Sequence, residues 1–327
     1  MQTSLSKNIL LGLSVGDALG VPVEFQSRES LKRNPVTDMT GYGTYNQPPG
    51  TWSDDSSMAF CLAESLCEGY NPKDIADRFV RWYDKAYWTP HGEVFDVGIA
   101  TRKAIQRMKE GVEPLLAGGN TEYDNGNGSL MRIMPLLVLT QSSTPEDARR
   151  YTEEVSSITH RHPRSVLACH YLLMLASHLT TTGIREALRQ TRADISELLQ
   201  SKPALIAEKS HFSKAMPDRE KQPEEFDNPY DFIRQIPENE IQSSGYVVHT
   251  LEASLWCLAT TDNYRDAVLK AVNLGEDTDT TAAVTGALAG IVYGYETIPA
   301  EWVNQLARKN DIIDLAERLE RVYGGGK

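Results

Sequence analysis

Two acidic segments combine carboxylates and hydroxyls in a pattern suited to holding a divalent cation. The first is segment 53–56, Ser-Asp-Asp-Ser, and the second is segment 277–280, Asp-Thr-Asp-Thr. Crowded carboxylates repel one another, and a folded chain tolerates them when a positive charge lies between them. Carboxylate and hydroxyl oxygens are also the ligands that hard cations prefer. If the fold brings the two segments together, the sequence predicts a metal site.

The first segment also has a simpler interpretation as a helix start. Ser53 would cap the helix, and Asp54 and Asp55 in its first turn would interact favourably with the helix dipole. Two features favour the metal instead. The apolar neighbours Trp52 and Phe60 indicate a buried setting, where unpaired carboxylates are costly. The second segment then repeats the pattern with different residues.

The second segment opens onto a helix made almost wholly of small residues, 281–290. Glycine inside a helix costs roughly 1 kcal/mol relative to alanine, so Gly286 and Gly290 require a structural reason. Close approach of another helix supplies that reason and predicts that this helix is central. Its first turn would then carry Asp277 and Asp279 into the interior, where a cation must offset their charge.

A second small-residue helix is predicted near the beginning of the chain, and it contains Asp17. Gly20 is predicted to end this helix as a C-cap, and Glu24 follows in the next loop. The spacing leaves two roles open for Asp17, as a capped core acid or as a group behind the metal ligands.

Two further loops carry polar groups that suit a ligand. Loop 124–129, Asp-Asn-Gly-Asn-Gly-Ser, precedes a predicted helix and leaves backbone N–H groups free to bind an anion. Its plainer interpretation is a flexible loop with Ser129 as the N-cap. The sequence Thr-His-Arg-His-Pro at 159–163 excludes a zinc pair on one helical face, and we predict that His160 makes a polar contact to a ligand.

Apolar spacing near 3.6 residues dominates the chain and predicts an all-α protein that forms one compact multi-helix domain over residues 1–327. An acidic, proline-containing stretch at 217–245 is predicted to be a surface excursion. The predicted helices cover 4–19, 54–68, 72–88, 96–110, 130–139, 145–158, 164–179, 184–200, 203–216, 247–259, 264–274, 280–293 and 311–322.

Composition restricts the class of partner and the compartment. The 327 residues carry a formal net charge of -12, which argues against nucleic acid as a partner. The four cysteines lack metal-binding spacing and are expected to be reduced core residues. No apolar run reaches the ~20 residues that a membrane span needs, and no signal peptide is apparent, so we expect a cytoplasmic protein without membrane contact.

Taken together, these motifs resemble the ADP-ribosylglycohydrolase family. The resemblance spans about residues 9–294 and includes Asp17 with Glu24, the 53–56 and 277–280 segments, the Asn-Gly loop and Thr159-His160 with Pro163. It implies a compact all-α fold of orthogonal helices, a dinuclear Mg²⁺ or Mn²⁺ centre, and hydrolysis of the bond between ADP-ribose C1″ and an acceptor.

The resemblance also implies roles for individual residues. Glu24 and Asp124 would be catalytic, with either able to act as general base or acid. The implied metal ligands are Ser53, Asp54, Asp55, Asp277, Asp279 and Thr280. The implied substrate-binding residues are Asn127, Gly128, Ser129, Met131 and His160, with Tyr246 placed more loosely beside the adenine.

The expected activity is removal of ADP-ribose from a modified acceptor, most plausibly arginine on a protein, with an ADP-ribosyltransferase as the opposing activity. Serine or a small-molecule conjugate is the alternative acceptor. Two rival functions are an immunity or binding protein that neutralises an ADP-ribosyltransferase, and metal-dependent phosphoester hydrolysis. The intact ligand set argues against a pure binder, and the order of the motifs disfavours a phosphatase.

Overall fold

The computed structural model describes residues 4–217 and 228–324. Over these ranges the chain forms α-helices joined by loops and short 3-10 turns, with two isolated β-bridges and no strand. The predicted all-α class is therefore confirmed. The helices are α1 Leu5–Gly20, α2 Arg28–Arg33, α3 Asp54–Leu66, α4 Pro72–Lys85, α5 Ile99–Lys109, α6 Pro114–Ala117, α7 Leu137–Thr140, α8 Pro145–Ser157, α9 Pro163–Leu179, α10 Ile184–Ser201, α11 Pro203–Ile206, α12 Pro229–Gln235, α13 Val247–Ala259, α14 Tyr264–Val272, α15 Thr278–Tyr293, α16 Ala300–Gln305 and α17 Lys309–Tyr323.

Helices α1 and α15 form the centre of the molecule and run antiparallel with their backbones in contact. A Cβ atom built on Gly12 would lie 2.3 Å from the carbonyl oxygen of Gly286, and one built on Gly290 would lie 2.1 Å from that of Asn8. The predicted close approach at Gly286 and Gly290 is confirmed, because a larger side chain at these positions would separate the helices.

The antiparallel contact brings the end of α1 to the start of α15, and α3 also begins there. Gly20 lies against the backbone of Asp279, where an added Cβ would be 2.3 Å from its Cα. Asp17, on the last turn of α1, binds the first turn of α3 through the backbone N–H of Ser53 at 2.9 Å. Three helix ends therefore meet at one place, and two of them are N-termini, which favour negative charge.

The remaining helices bury this centre. Helices α9, α13 and α14 pack against α15, while α3 and α17 pack against α1. The apolar side chains form one continuous core, which includes Trp52, Phe60, Trp302 and Tyr264. The acidic segments consequently lie inside the protein.

Three local predictions were wrong. Residues 130–139 do not form one helix, because Pro135 lacks an N–H and the chain instead makes turns, a 3-10 turn and then α7. Helix 203–216 stops at Ile206. Helix α1 does end at Gly20, as predicted, but Gly20 has an ordinary right-handed φ of -82°, so it is the last helical residue in a close helix contact and not the C-cap.

The acidic stretch 217–245 is only partly described, and residues 218–227 lie outside the described ranges. Its described part includes α12, which packs against α10 and α13 through buried Ile233. The indole N–H of Trp256 donates to the carbonyl of Ile236 at 2.9 Å. Within the described ranges, no helix combines the length and the apolar character that a membrane crossing requires.

Candidate metal centre

Five carboxylates from four segments converge where α1, α3 and α15 meet. One cluster contains Asp17, Asp55 and Asp279, and a second contains Glu24, Asp277 and Asp279. Within each cluster, one oxygen from each residue lies within 4.8 Å of the others, and Asp279 belongs to both. The structure therefore brings the two acidic sequence segments together.

Asp17 has a structural task inside this group. Its carboxylate accepts hydrogen bonds from the backbone N–H of Ser53 at 2.9 Å and of Ser56 at 3.0 Å, and from the Ser56 hydroxyl at 2.5 Å. A carboxylate with this many donors is largely satisfied. Asp17 thus holds the start of α3 in place, and one of its oxygens also belongs to the cluster with Asp55 and Asp279.

The other acids keep oxygens without any partner. Within the described ranges, Glu24 Oε2, Asp55 Oδ2, Asp277 Oδ1 and Asp279 Oδ2 are enclosed and make no hydrogen bond. In three of these residues the other carboxylate oxygen accepts a hydrogen bond: Asp55 Oδ1 from the Thr280 hydroxyl at 3.3 Å, Asp277 Oδ2 from the Asn127 amide at 2.9 Å, and Asp279 Oδ1 from the Thr280 backbone N–H at 2.9 Å. Enclosed polar atoms without partners are costly and normally mark a missing ion or water.

The pKa values of the acids in the centre also show that these carboxylates lack positive partners. Burial, reinforced by the neighbouring carboxylates, raises the pKa values of Asp54, Asp55 and Asp279 well above the ordinary range. Burial and the charges of Asp96 and Asp277 raise the pKa of Glu24 to about 9. No lysine or arginine is among the main causes of these shifts, so the described part of the centre is short of positive charge.

The donor set fits hard divalent cations. The four unpartnered atoms of Glu24, Asp55, Asp277 and Asp279 are carboxylate oxygens, which Mg²⁺ and Mn²⁺ bind in preference to softer donors. Ser53 and Thr280 add hydroxyls at the starts of α3 and α15. The predicted ligands Ser53, Asp54, Asp55, Asp277, Asp279 and Thr280 all belong to the two helix starts that meet here.

Two residues beside the centre were missed by the sequence reasoning. Tyr45 lies beside Glu24 and Asp96, and burial together with those two charges raises the pKa of its hydroxyl. Asp96 has a left-handed backbone with φ of 48°, which is uncommon for a residue other than glycine. Both lie in loops without periodicity, and Asp96 had been placed inside a helix that begins at Ile99.

The Asn-Gly loop borders the acids. The amide nitrogen of Asn127 donates to Asp277 Oδ2 at 2.9 Å and to the Thr250 hydroxyl at 2.8 Å. The backbone N–H of Asn127 also donates to the carbonyl of Gly245 at 3.1 Å. Since no helix begins at residue 130, the anion-binding helix start predicted after this loop is absent.

Predicted ligand contacts of the loop differ in how accessible they are. A Cβ atom on Gly128 would lie 2.8 Å from the ring of His160, so the loop packs directly on that histidine. The Ser129 hydroxyl is buried and bonds with Ser156 at 3.0 Å, and Met131 lies in the apolar core. Ser129 and Met131 therefore face the interior through their side chains.

Asp124 and Tyr246 flank the loop and lie outside both acidic clusters. The carboxylate of Asp124 accepts hydrogen bonds from the hydroxyl and the backbone N–H of Thr121, which lower its pKa. Tyr246 pairs with Gly126 through a β-bridge, and its ring lies 5.8 Å from the guanidinium of Arg164. The Asp124 arrangement is that of a turn-capping residue.

Known proteins are similar to this chain in sequence and in fold. The family model for ADP-ribosylglycohydrolase matches residues 4–327. The chain belongs to the ADP-ribosylglycohydrolase family. It is 35% identical to "ADP-ribosylarginine hydrolase Tri1" of Serratia proteamaculans over 96% of this chain and 78% of that protein. It is 31% identical to "ADP-ribosyl-[dinitrogen reductase] glycohydrolase" of Rhodospirillum rubrum over 91% of this chain and 89% of that protein.

A solved structure supports the same assignment. An "ADP-ribosylglycohydrolase-related protein complex" matches with a TM-score of 0.74 and 31% identity, and the match covers 98% of both chains. The helical architecture described above is thus the architecture of the family, and the chain is a glycohydrolase by membership.

Proposed function

We propose that this protein is a metal-dependent hydrolase that removes ADP-ribose from arginine side chains of modified proteins. The observation that carries the proposal is the set of four enclosed carboxylate oxygens without partners in the described ranges, all of which come from the converging segments. Such a set has a simple chemical explanation in a divalent cation. It has no role in a protein that merely binds a partner.

The residues that would hold the cations lie at the starts of α3 and α15. Two adjacent positions are supported, because the two carboxylate clusters share Asp279. The proposed ligands are Ser53, Asp54, Asp55, Asp277, Asp279 and Thr280. When bound, Mg²⁺ or Mn²⁺ supplies positive charge that orients the hydroxyls of the distal ribose and lowers the pKa of water.

Glu24 is the proposed general base. It is 4% exposed, one of its oxygens has no partner, and its side chain lies beside the clustered acids. Once the neighbouring charge is offset, its carboxylate can accept a proton from water at the ribose. The Tyr45 hydroxyl lies beside Glu24 and would orient that carboxylate by donating a hydrogen bond to it.

The Asn-Gly loop supplies the remaining contacts to ADP-ribose. Asn127 ties the loop to Asp277, so a nucleotide held by the loop would be fixed relative to the acids. The proposed binding residues are Asn127, Gly128, Ser129, Met131, His160 and Tyr246. Because the side chains of Ser129 and Met131 face the interior, these two would act through their backbone and through packing.

Asp124 remains a proposed participant with a positioning role. Its carboxylate is engaged by Thr121 and it lies outside the acidic clusters, so Glu24 is better placed to receive a proton. Asp124 lies at the start of the Asn-Gly loop and would maintain the shape of that loop.

The arginine acceptor is supported by relatives. Two proteins with 35% identity, from Serratia proteamaculans and Pseudomonas putida, are called ADP-ribosylarginine hydrolases. The Rhodospirillum rubrum relative is named for a modified protein substrate. An opposing ADP-ribosyltransferase would supply the modified arginine.

The decisive experiment presents two peptides that differ in the modified residue. ADP-ribosyl-arginine and ADP-ribosyl-serine peptides are incubated with the protein and Mg²⁺ or Mn²⁺, and the released product is identified by mass spectrometry. We expect free ADP-ribose and unmodified arginine peptide. Faster release from serine would overturn the acceptor, and release of AMP would overturn the glycohydrolase assignment.

Glu24→Gln and Asp124→Asn form a matched pair of variants in that assay. If Glu24 is the base, its loss should slow hydrolysis by about 10²- to 10⁴-fold, the usual range for general acid–base catalysis. Asp124→Asn should retain most activity. The reverse order of effects would transfer the proton-accepting role to Asp124.

A further inference from the structure

Arg132 is a buried cation without an ion pair in the described part of the chain. It is 0% exposed, and its Nε and Nη1 atoms make no hydrogen bond. Its guanidinium lies 4.6 Å from the centre of the Phe79 ring, and Nη2 donates to the carbonyl of Val155 at 3.2 Å. Burying an unpaired charge is costly, so this arrangement requires a reason.

The second acceptor of Nη2 is Thr159, which connects Arg132 with His160 of the candidate site. Nη2 donates to the hydroxyl oxygen of Thr159 at 2.7 Å, and that oxygen lies 2.9 Å from Nδ1 of His160. All three side chains are buried. The contacts form a chain from a permanent cation, through one hydroxyl, to the imidazole on which the Asn-Gly loop packs.

The direction of the protons in this chain follows from the donors available. Arginine can only donate, so the Thr159 oxygen is the acceptor of the first bond. The Thr159 hydroxyl then has one proton to give, and His160 Nδ1 is its only acceptor among the described contacts. A proton on Nδ1 would leave this enclosed hydroxyl without an acceptor, which is unfavourable.

The opposite edge of the imidazole faces the Asn-Gly loop. A Cβ atom on Gly126 would lie 3.5 Å from Nε2, and one on Gly128 would lie 3.4 Å from it. Nε2 makes no hydrogen bond in the described ranges, and it is absent from the polar atoms that are both enclosed and unpartnered. It therefore reaches accessible space beside the loop.

We propose that Arg132 and Thr159 are positioning residues that hold His160 in its Nε2–H form, so that Nε2–H donates to an acceptor oxygen of the bound ligand. This inference rests on the proposed function for the identity of the ligand, an oxygen of ADP-ribose. Burial and the charge of Arg132 lower the pKa of His160 to about 3, so the ring also stays neutral. The donor is then present throughout the neutral pH range.

The proton arrangement can be measured without any substrate. Two-dimensional ¹⁵N–¹H NMR of the imidazole nitrogens in the full chain distinguishes a protonated from an unprotonated ring nitrogen. We expect His160 to carry its proton on Nε2 alone between pH 5 and pH 8. Thr159→Val should produce a mixture of both neutral forms, and Thr159→Ser should restore the single form. A proton on Nδ1 in the unmodified protein would overturn the proposal.

Ligand binding supplies the second measurement, with Thr152→Val as the matched control. Thr152 is a buried threonine on α8 whose hydroxyl donates only to the carbonyl of Ala148, at 2.7 Å. For Thr159→Val we expect the Kd of ADP-ribose to rise about tenfold, equivalent to one lost hydrogen bond. KM should rise similarly with kcat little changed, and Thr159→Ser and Thr152→Val should bind normally.

The outcomes separate this inference from the proposed function. If no variant and not even the unmodified protein binds ADP-ribose, the proposed function fails while the NMR result still decides the proton arrangement. If the protein hydrolyses its substrate but Thr159→Val changes neither the NMR signals nor the Kd, the positioning role is wrong and the function stands.

Discussion

The buried acids at the two ends of helix α3 differ in whether they have a positively charged partner. At its start, Asp54 and Asp55 meet further carboxylates, and no arginine or lysine pairs with them in the described ranges. Near its end, Glu64 accepts hydrogen bonds from Tyr87 and from the indole of Trp88 at 3.0 Å, and pairs with Arg78. One helix therefore carries a neutralised acid and two acids without a counter-charge.

The difference shows how this chain separates stability from function. Glu64, the acid that holds helices together, receives two arginines and two neutral donors, which offset the cost of burying its charge. The acids at the other end lack such partners, although α3 could have placed an arginine beside them as readily. An unneutralised cluster next to a neutralised acid on the same helix indicates that the missing charge comes from outside the chain.

The largest difference in activity between variants should come from replacing Asp279, the acid that both carboxylate clusters share. Asp279→Asn should reduce hydrolysis of ADP-ribosyl-arginine peptide by more than about 100-fold, since even residues behind metal ligands change activity by ~10–100-fold. Glu64→Gln should leave kcat per folded molecule unchanged. The rates are compared at equal concentrations of folded protein, verified by circular dichroism. Equal losses in both variants would erase the functional distinction between the ends of α3.

Metal binding at the acids around the start of α3 should stabilise the folded protein. At a free metal concentration of 100 times Kd, a single site adds about 2.7 kcal/mol to the free energy of unfolding. We expect Mg²⁺ or Mn²⁺ to raise Tm and EDTA to reverse the rise, while Asp279→Asn weakens the response. Thermal unfolding with and without metal is the measurement. A metal-induced rise that persists fully in Asp279→Asn would place the ion elsewhere.

The acids near the two ends of α3 should also affect the free energy of unfolding in opposite ways as the pH changes. The folded pKa of Glu24 is raised from 4.5 to about 9, so the metal-free folded state holds a proton that the unfolded chain releases. Stability without metal should therefore fall as pH rises from about 4.5 to 9.

For Glu64, burial acts to raise the pKa, but hydrogen bonds from Tyr87 and Trp88 and the charge of Arg78 outweigh it and lower the pKa. Its stabilisation is therefore present above the unfolded pKa and lost as pH falls. Urea unfolding with EDTA, from pH 4 to pH 9, measures both trends. Glu64→Gln should reduce only the loss at low pH, and Glu24→Gln should reduce only the decline at high pH, to which Asp54, Asp55 and Asp279 also contribute.

Replacing Glu64, the neutralised acid, should lower the free energy of unfolding without changing activity. The side chains of Glu64 and Arg78 are 14% and 7% exposed and lie in contact, so Glu64→Gln should lower the free energy of unfolding by about 2–4 kcal/mol. The exposed pair of Lys32 with Glu238 offers a control, since Glu238→Gln should cost less than about 1 kcal/mol. Equal costs would show that the contacts of Glu64 contribute no more than a surface pair.

The smallest effect is expected at Asp124. Its carboxylate caps a 3-10 turn through Thr121, so Asp124→Asn should cost about 0.5–2 kcal/mol, as loss of a capping group does. Hydrolysis should fall only a few-fold, measured beside Glu24→Gln. A loss as large as that of Glu24→Gln would move the catalytic role to the loop.

The sequence reasoning succeeded where chemistry and helical spacing coincide. The glycines Gly286 and Gly290 predicted a backbone contact, and the acidic segments predicted a shared location, because both features recur at fixed positions of helices. It failed at residues 130–139, where apolar residues suggested a helix although Pro135 interrupts it. It also missed Tyr45 and Asp96, because irregular loops reach the centre only through the tertiary fold and leave no periodic pattern.

The backbone contact at Gly20 has a consequence for how this centre can change. An added methyl group there would lie 2.3 Å from Cα and 2.4 Å from the backbone nitrogen of Asp279, with no flexible side chain between them to absorb the shift. The spacing of the acids is therefore set by the thickness of two bare backbones. A substitution that changes this spacing would act at a residue that carries no reactive group, so Gly20 controls the geometry of the site without taking part in its chemistry.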